Sequence, residues 1–166
     1  MIEPQTIILK KIFIVDHSVY FNETNAVGGV AYFSNYVKWQ GMTREEWFVK
    51  VVPNWRQIFS LVNEGKLNMI TVEEHSHFIQ HAFFGDKIEI RLQMTNIKRF
   101  SFDMIFLMFN KDSQVLLYEG LQRLAFDDFK GKFVPIPDGM AQAVKQYEAN
   151  LNSLQLVKLK KYISVT

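Results

Sequence analysis

The chain has 166 residues, of which 48% are hydrophobic and 22% are charged, so it is long enough and apolar enough to fold around a core. Its formal net charge is +2, which is too small to favour nucleic acid as a partner. It contains no cysteine, which excludes disulfides, thiol catalysis and cysteine-based zinc sites. We find neither a membrane-spanning apolar run nor a convincing signal peptide, and therefore expect a cytoplasmic protein.

The first half of the chain predicts one strand and two helices. The strand covers residues 12–21, where β-branched and aromatic side chains dominate. A long helix is predicted over about 29–50. After the interruption at Pro53, a second helix is predicted over about 55–64, and the turn at "NEGK" ends it.

The second half predicts a run of strands and a last helix. The strands cover residues 68–80, 87–97, 100–109 and 114–126. The last helix covers about 139–151, within a C-terminal extension of about 137–166. We predict that residues 1–166 form a single domain with a core over about 10–127.

One long helix followed by antiparallel strands packs most economically when the sheet curls around the helix, so we predict an α+β fold. The apolar face of the helix is predicted to consist of Val30, Phe33, Val37 and Phe48. A polar stripe lies beside it, because Tyr36, Gln40 and Arg44 are spaced at i, i+4 and i+8. Burying this stripe without partners would cost about 1–3 kcal/mol for each group. We therefore expect it to border a site, for example one at a seam between subunits.

The segment 21–47, "FNETNAVGGVAYFSNYVKWQGMTREEW", carries a family resemblance. It resembles the first motif of hotdog-fold thioesterases of the 4-hydroxybenzoyl-CoA thioesterase type. Within that type it is most similar to the acyl-carrier-protein thioesterases of enediyne polyketide pathways, which share Glu-Thr-Asn, Val-Gly, Asn-Tyr, Trp-Gln-Gly and Arg-Glu. The resemblance implies a hotdog fold, in which an antiparallel sheet wraps one long central helix, and an assembly of two or four copies.

The resemblance also implies site residues. Many relatives have an aspartate at the position of Asn25, and an amide can serve neither as a nucleophile nor as a base. The catalytic candidates are therefore Asn25, which would orient a water or hold the carbonyl oxygen, Arg44, which would stabilise negative charge, and Tyr36, which would hydrogen-bond the substrate or the water. Glu23, Glu45 and Glu46 could supply a base, although their neighbours indicate solvated positions.

Gly28 and Gly29 would let a thioester approach the backbone, and we expect them where the long helix begins. The free N–H groups of a helix start carry partial positive charge. The predicted oxyanion donors are accordingly Gly28, Gly29 and Val30. Each residue also has an ordinary interpretation: the glycines as a turn, Asn25 as a helix cap, and Arg44 as a surface charge.

A second cluster lies in "ITVEEHSHFIQH", where Glu73, His75 and His77 alternate on one strand face and His81 follows. Two such histidines could bind zinc together with a third ligand, for which His17 is the remaining histidine. The alternative is a partly exposed strand face. Hotdog thioesterases need no metal, and we predict neither a metal nor a cofactor.

The strand "FSFDMIFLMFN" is apolar on both faces, which predicts that both are covered. Its inner face should pack on the helix, and some of its residues could line a tunnel for a long acyl chain. The basic C-terminal region could receive the phosphate of CoA or an acidic carrier protein, or be a solvated end. Its leucines indicate that part of it docks on the domain.

The sequence thus predicts a thioesterase that hydrolyses a polyene or β-ketoacyl chain from an acyl carrier protein. The alternatives are a general acyl-CoA thioesterase and a non-catalytic acyl-binding hotdog module. The expected partners are a carrier protein or CoA thioester and further copies of the chain, with neither nucleic acid nor a membrane.

Overall fold

The computed structural model describes residues 11–150 and 156–163. The elements within these residues are β1 (Phe13–Ser18), α1 (Phe33–Val51), α2 (Trp55–Asn63), β2 (Asn68–Phe78), β3 (Lys87–Thr95), β4 (Ser101–Asn110), β5 (Leu116–Asp127) and α3 (Asp138–Gln146). Short 3-10 turns cover Phe21–Glu23 and Leu159–Tyr162. No helix in this part of the chain is both long and apolar enough to cross a membrane.

The strands form one antiparallel sheet in the order β1-β3-β4-β5-β2. The long helix α1 packs on one face of this sheet, and its contacts reach β1, β3 and β5. The predicted α+β class, with an antiparallel sheet around one long helix, is therefore confirmed. Among the described residues, the strands β1 and β2 are the two edges of the sheet, so each has one side without a strand neighbour there.

The start of α1 differs from the prediction. Gly28 and Gly29 have φ angles of +82° and +63°, which a right-handed helix does not allow. They form a turn, after which Val30 and Ala31 make isolated bridges to Phe83 and Thr24. The helix begins only at Phe33, so the two glycines precede it rather than open it.

The buried face of α1 also differs from the prediction. Phe33 is 59% exposed and Val37 is 36% exposed, whereas Tyr36 and Gln40 of the predicted polar stripe are buried. The buried residues of the helix are Tyr36, Trp39, Gln40, Thr43 and Trp47. Two tryptophans bury more apolar area than Phe33 and Val37 could, and this sets the rotation of the helix. Gln40 therefore does not border solvent.

The strand β4 is covered on both faces, as predicted, because Phe102 to Phe109 are all buried. Its inner residues Phe102, Met104, Phe106 and Met108 belong to the main core. Its outer residues Ile105, Leu107 and Phe109 pack with Leu121, Leu159 and Ile163. The cover on the outer side is thus the chain's own C-terminal segment, residues 156–163, which docks as the leucine pattern predicted. Leu151 and Leu154 lie outside the described residues.

Candidate active site

Asn25 lies in a turn that fixes its backbone and leaves its side chain free. Its N–H donates to the carbonyl of Val30 at 2.8 Å, which closes the turn containing Gly28 and Gly29. Within the described part of the chain, the side-chain amide of Asn25 makes no hydrogen bond, and the residue is exposed. An amide held in this way is available to a ligand as both donor and acceptor.

The Asn25 side chain borders a cavity of about 590 Å³, which we call the Asn25 cavity. This volume lies within the range of about 300–1,000 Å³ that is typical of ligand pockets. The lining residues are Asn25, Val30, Ala31, Tyr32, Phe33, Tyr36, Phe78, Ile79, Gln80, His81 and Phe83. The cavity therefore lies between the first turn of α1, the end of β2 and the loop that follows β2.

Tyr36 joins Asn25 in this cavity, as the sequence predicted. Its hydroxyl oxygen accepts a hydrogen bond from the N–H of Ala82 at 3.0 Å, so the hydroxyl hydrogen remains available to a ligand. Burial raises the pKa of the Tyr36 phenol, which keeps it protonated. The ring is fixed by Trp39 and Tyr118, whose centroids lie 4.9 and 5.1 Å away.

Backbone donors are present at the same cavity. The N–H groups of Gly29 and Val30 donate to no carbonyl within the described residues. At the start of α1, the N–H groups of Phe33 and Ser34 donate to no carbonyl within the described residues, whereas that of Asn35 donates to the Tyr32 carbonyl at 2.9 Å. Free N–H groups at a helix start carry partial positive charge. Of the predicted oxyanion residues only Val30 lines the cavity, while Gly28 and Gly29 supply the positive φ angles of the turn.

Glu23 is buried, contrary to the expectation that it is solvated. It is 4% exposed, and its carboxylate accepts hydrogen bonds from the Trp39 indole and the Tyr20 N–H, both at 2.9 Å. The ring of His17 lies at the same distance. Burial alone would raise the pKa of Glu23, but these hydrogen bonds together lower it. The carboxylate thus ties β1 and α1 to the loop that carries Asn25.

Arg44 lies in a different cavity of the chain. Its guanidinium donates to the Thr71 hydroxyl at 3.0 Å and to the side-chain carbonyl of Gln122 at 3.1 Å. Burial lowers the pKa of Arg44, and the negative charge of Glu45 acts in the opposite direction, toward a higher pKa. Among the described residues no carboxylate forms an ion pair with it. Within one chain, the structure therefore does not bring Arg44 together with Asn25.

The cavity beside Arg44 has a volume of about 410 Å³, and we call it the Arg44 cavity. Its lining is mainly apolar and consists of Arg44, Glu45, Trp47, Phe48, Val49, Trp55, Phe59, Met69, Phe102, Met104, Leu124 and Met140. It lies by the second half of α1 and the start of β2, at the other end of β2 from the Asn25 cavity. Phe102 and Met104, two of the residues considered for an acyl tunnel, line it.

Gln40 is buried in the core and is hydrogen-bonded through its side-chain nitrogen, while its side-chain oxygen has no hydrogen-bond partner within the described residues. Its side-chain nitrogen donates to the hydroxyl of Tyr118, which also hydrogen-bonds Ser76 at 2.5 Å. Burial raises the pKa of Tyr118. A Cβ at Gly120 would lie 2.6 Å from the same Gln40 nitrogen, so glycine is required there by space.

Two of the four histidines considered for zinc, His75 and His17, have carboxylate partners. His75 hydrogen-bonds Glu73 at 2.7 Å and stacks on Tyr162 with centroids 3.8 Å apart. His17 contacts Glu23. Within residues 11–150 and 156–163, no group of three side chains is arranged to hold a metal ion.

Comparison with known protein families assigns the chain to a superfamily. The model of the thioesterase-like superfamily matches residues 19–144, so the chain belongs to this superfamily. No curated protein sequence matches the chain.

Solved structures support the assignment of the fold. The dynemicin thioesterase, whose structures describe polyene binding, is 26% identical, with a TM-score of 0.75 over 84% of this chain and 99% of that one. A 1,4-dihydroxy-2-naphthoyl-CoA thioesterase from Synechocystis is 19% identical, with a TM-score of 0.74 over 81% and 96%. A Staphylococcus aureus protein solved with CoA is 11% identical, with a TM-score of 0.78 over 95% and 96%. The predicted hotdog fold is confirmed.

Proposed function

We propose that the protein is a thioesterase that releases a polyene or β-ketoacyl chain from an acyl carrier protein in polyketide-type biosynthesis. Membership of the thioesterase-like superfamily supports the reaction class, and the similarity to the dynemicin thioesterase supports this kind of substrate. The observation that carries the proposal is the Asn25 cavity. There an amide and backbone N–H groups that have no hydrogen-bond partner within residues 11–150 and 156–163, together with a protonated phenol, surround a space of ligand size.

These groups suit the tetrahedral intermediate of thioester hydrolysis. Water attacks the carbonyl carbon, and the carbonyl oxygen acquires negative charge. The N–H groups at Val30 and the start of α1 would hold that oxygen, and one such donor typically contributes about 3–4 kcal/mol. Asn25 would orient the water or the carbonyl, and Tyr36 would donate its hydroxyl hydrogen to one of them.

We further propose that the working site is shared by two copies joined through β2. This strand is an edge of the sheet, and a two-fold axis would pair it antiparallel with its counterpart. The Phe78 end of one β2 would then lie beside the Asn68 end of the other. Both α1 helices would remain on the same face of the continuous sheet.

This pairing would bring the Arg44 cavity of one copy to the Asn25 cavity of the other. Arg44 is hydrogen-bonded to Thr71, near the start of β2, whereas Phe78 and His81 at the end of β2 line the Asn25 cavity. Arg44 of the second copy would meet the developing negative charge. Its mainly apolar cavity, with Phe59, Phe102 and Met104, would hold the acyl chain.

Hydrolysis assays test the reaction and the carrier. We expect the purified protein to release free thiol faster from a polyene or long-chain acyl carrier protein than from the matching acyl-CoA. Faster release from acyl-CoA would favour the general acyl-CoA thioesterase. Tight binding of acyl groups without thiol release from either substrate would favour the non-catalytic module.

Mixing two inactive variants tests the shared site. In a hybrid dimer of Asn25→Ala and Arg44→Ala chains, one of the two sites would contain both native residues. Random re-association produces hybrids as half of the dimers, so we expect recovery of about a quarter of wild-type activity. If the two residues act within one chain, both sites of the hybrid carry a lesion and the mixture stays inactive.

A further inference from the structure

Thioester hydrolysis requires a proton to leave the attacking water, and none of the described residues that line the Asn25 cavity carries a carboxylate for this step. Asn25 and Gln80 in its lining are neutral amides, and Tyr36 stays protonated because burial raises its pKa. His81 is the imidazole among the described lining residues. Imidazole is the side chain that accepts and returns protons near neutral pH.

The backbone beside His81 is fixed on both sides. The N–H of Ala82 donates to the Tyr36 hydroxyl at 3.0 Å, and the carbonyl of Ala82 accepts from the Ala31 N–H at 2.8 Å. Phe83 then forms a bridge with Val30. These contacts hold the loop after β2 against the segment that carries Asn25, so His81 has a defined place at the cavity.

The His81 ring itself has no hydrogen-bond partner within the described part of the chain. Its ring contact is with Phe83, edge to face, with centroids 6.3 Å apart. The residue is exposed while also lining the cavity. An acid–base group needs this combination, because it must reach the reacting water and also exchange protons with solvent.

We propose that His81 is the catalytic acid–base residue of the reaction, an inference that rests on the proposed hydrolase function. Neutral His81 accepts a proton from water while the water oxygen bonds to the thioester carbon. The tetrahedral intermediate then collapses, the carbon–sulfur bond breaks, and protonated His81 gives its proton to the leaving sulfur. The products are a carboxylic acid and a thiol, and His81 returns to its neutral form.

Other titratable groups lie around His81 and are part of the interpretation of any pH profile. They are the phenols of Tyr32 and Tyr36 on the side of α1, and Asp86, whose carboxylate accepts the Phe83 N–H at 2.8 Å. Under the proposed pairing, Arg44 of a second copy would join them. None of these groups is an imidazole, so a change of the pH profile on replacing the His81 ring would be due to that ring.

The test compares His81→Gln with His77→Gln in the full chain, using decanoyl-CoA and the decanoyl carrier protein as substrates. His77 lies near the end of β2 and does not line the cavity, so its variant removes the same ring as a control. We expect His81→Gln to lower kcat by about 100-fold with little change in KM, and to lose the rise of rate across the histidine range. His77→Gln removes an imidazole from the proposed seam rather than from the cavity, so it should keep the pH dependence that His81→Gln loses.

Chemical rescue by added imidazole distinguishes a loss of catalysis from a loss of folding. In His81→Ala, added imidazole should restore part of kcat in proportion to its concentration, which a structural role would not explain. Wild-type kcat and an unchanged pH profile in His81→Gln, or no rescue in a folded His81→Ala, would overturn the assignment of His81. If the wild-type protein releases no thiol from either substrate, the proposed function itself fails.

Discussion

Asn25 has a backbone that is part of the fold and a side chain that is not. The turn held by its N–H and the Val30 carbonyl would form with many residues, because it depends on the backbone and on Gly28 and Gly29. The side chain contributes no hydrogen bond to the described structure. Replacing it should therefore affect ligands and chemistry much more than stability.

We expect Asn25→Ala to lower kcat at least about tenfold, equivalent to about 1.4 kcal/mol of transition-state stabilisation, with an unchanged melting temperature. The matched control is Asn22→Ala, an exposed asparagine of the same loop that does not line the cavity. Steady-state kinetics and thermal unfolding check both variants. A near-wild-type rate for Asn25→Ala would remove this residue from the proposed chemistry.

Sequence reasoning selected residues that belong to one local motif and missed contacts that depend on distant partners. Asn25 and Tyr36 were predicted from one segment, and the structure places both at one cavity. Glu23 was expected in solvent, because nothing in "FNETN" reveals that Trp39 and His17 enclose it. The Gln40–Tyr118 contact joins residues 78 positions apart and has no local signal.

At the scale of elements, Glu23 acts as a link between the loop, β1 and α1. Its carboxylate accepts hydrogen bonds from Trp39 of α1 and from the Tyr20 N–H, and it contacts His17 of β1. Its backbone carbonyl also accepts from the N–H of Tyr32 and the side chain of Asn35. The start of α1 is thereby held at a fixed distance from the loop of Asn25.

The lowered pKa of Glu23 predicts an acid-sensitive contribution to stability. A carboxyl with a lowered pKa in the folded state stabilises the fold above its ordinary pKa of 4.5, and the contribution is lost as the pH falls through the folded value. We expect Glu23→Gln to cost about 1–3 kcal/mol at pH 7 and progressively less below the ordinary pKa.

Denaturant unfolding at several pH values measures this prediction, with Glu46→Gln as the control. Glu46 pairs with Lys50 on the surface of α1, so its loss should change stability little. A free energy difference between wild type and Glu23→Gln that is constant from pH 7 to pH 3 would contradict the linkage.

The element boundaries illustrate what alternation and composition can predict. The strands were located closely because their apolar patterns are bounded by turns, as at Gly85 and at residues 110–114. The start and rotation of α1 were wrong for physical reasons. Because Gly28 and Gly29 have positive φ angles, the helix begins later than predicted. Burying the side chains of Trp39 and Trp47 stabilises the fold more than burying those of Phe33 and Val37 would, and this sets which face of the helix is inside.

At the scale of the molecule, the exposed apolar side chains favour an assembly around the Asn25 cavity. Five of them lie close to its mouth or on its lining: Phe21, Tyr32, Phe33, Phe83 and Phe84 are each at least 47% exposed. The edge strand β2 adds Val72 at 50% and Phe78 at 45%. Apolar groups in such a cluster are typical of surfaces that bind another protein chain.

Pairing through β2 can be tested with two variants, each of which places one lysine on one edge strand of the sheet. If two copies pair through β2 as proposed, Val72→Lys should weaken their association and lower activity, because the like charges of the two copies would meet near the two-fold axis. Ile14→Lys places the same charge on the other edge strand, β1, where Ile14 is 52% exposed, and should leave the assembly intact. Light scattering over a range of concentrations distinguishes the two. Equal behaviour of both variants would exclude β2 as the seam.

Glu119, on the far side of the sheet from α1, has a consequence for larger assemblies. Its fully buried carboxylate accepts the N–H groups of Val157, Lys158 and Leu159, which fastens residues 156–163 over Ile105 and Leu121. Other copies that stacked their own sheet on this side would first have to displace residues 156–163. The Glu119 carboxylate would then be buried in an apolar interface without its hydrogen-bond donors. We therefore expect residues 156–163 to oppose association through this side of the sheet, and their removal to increase self-association.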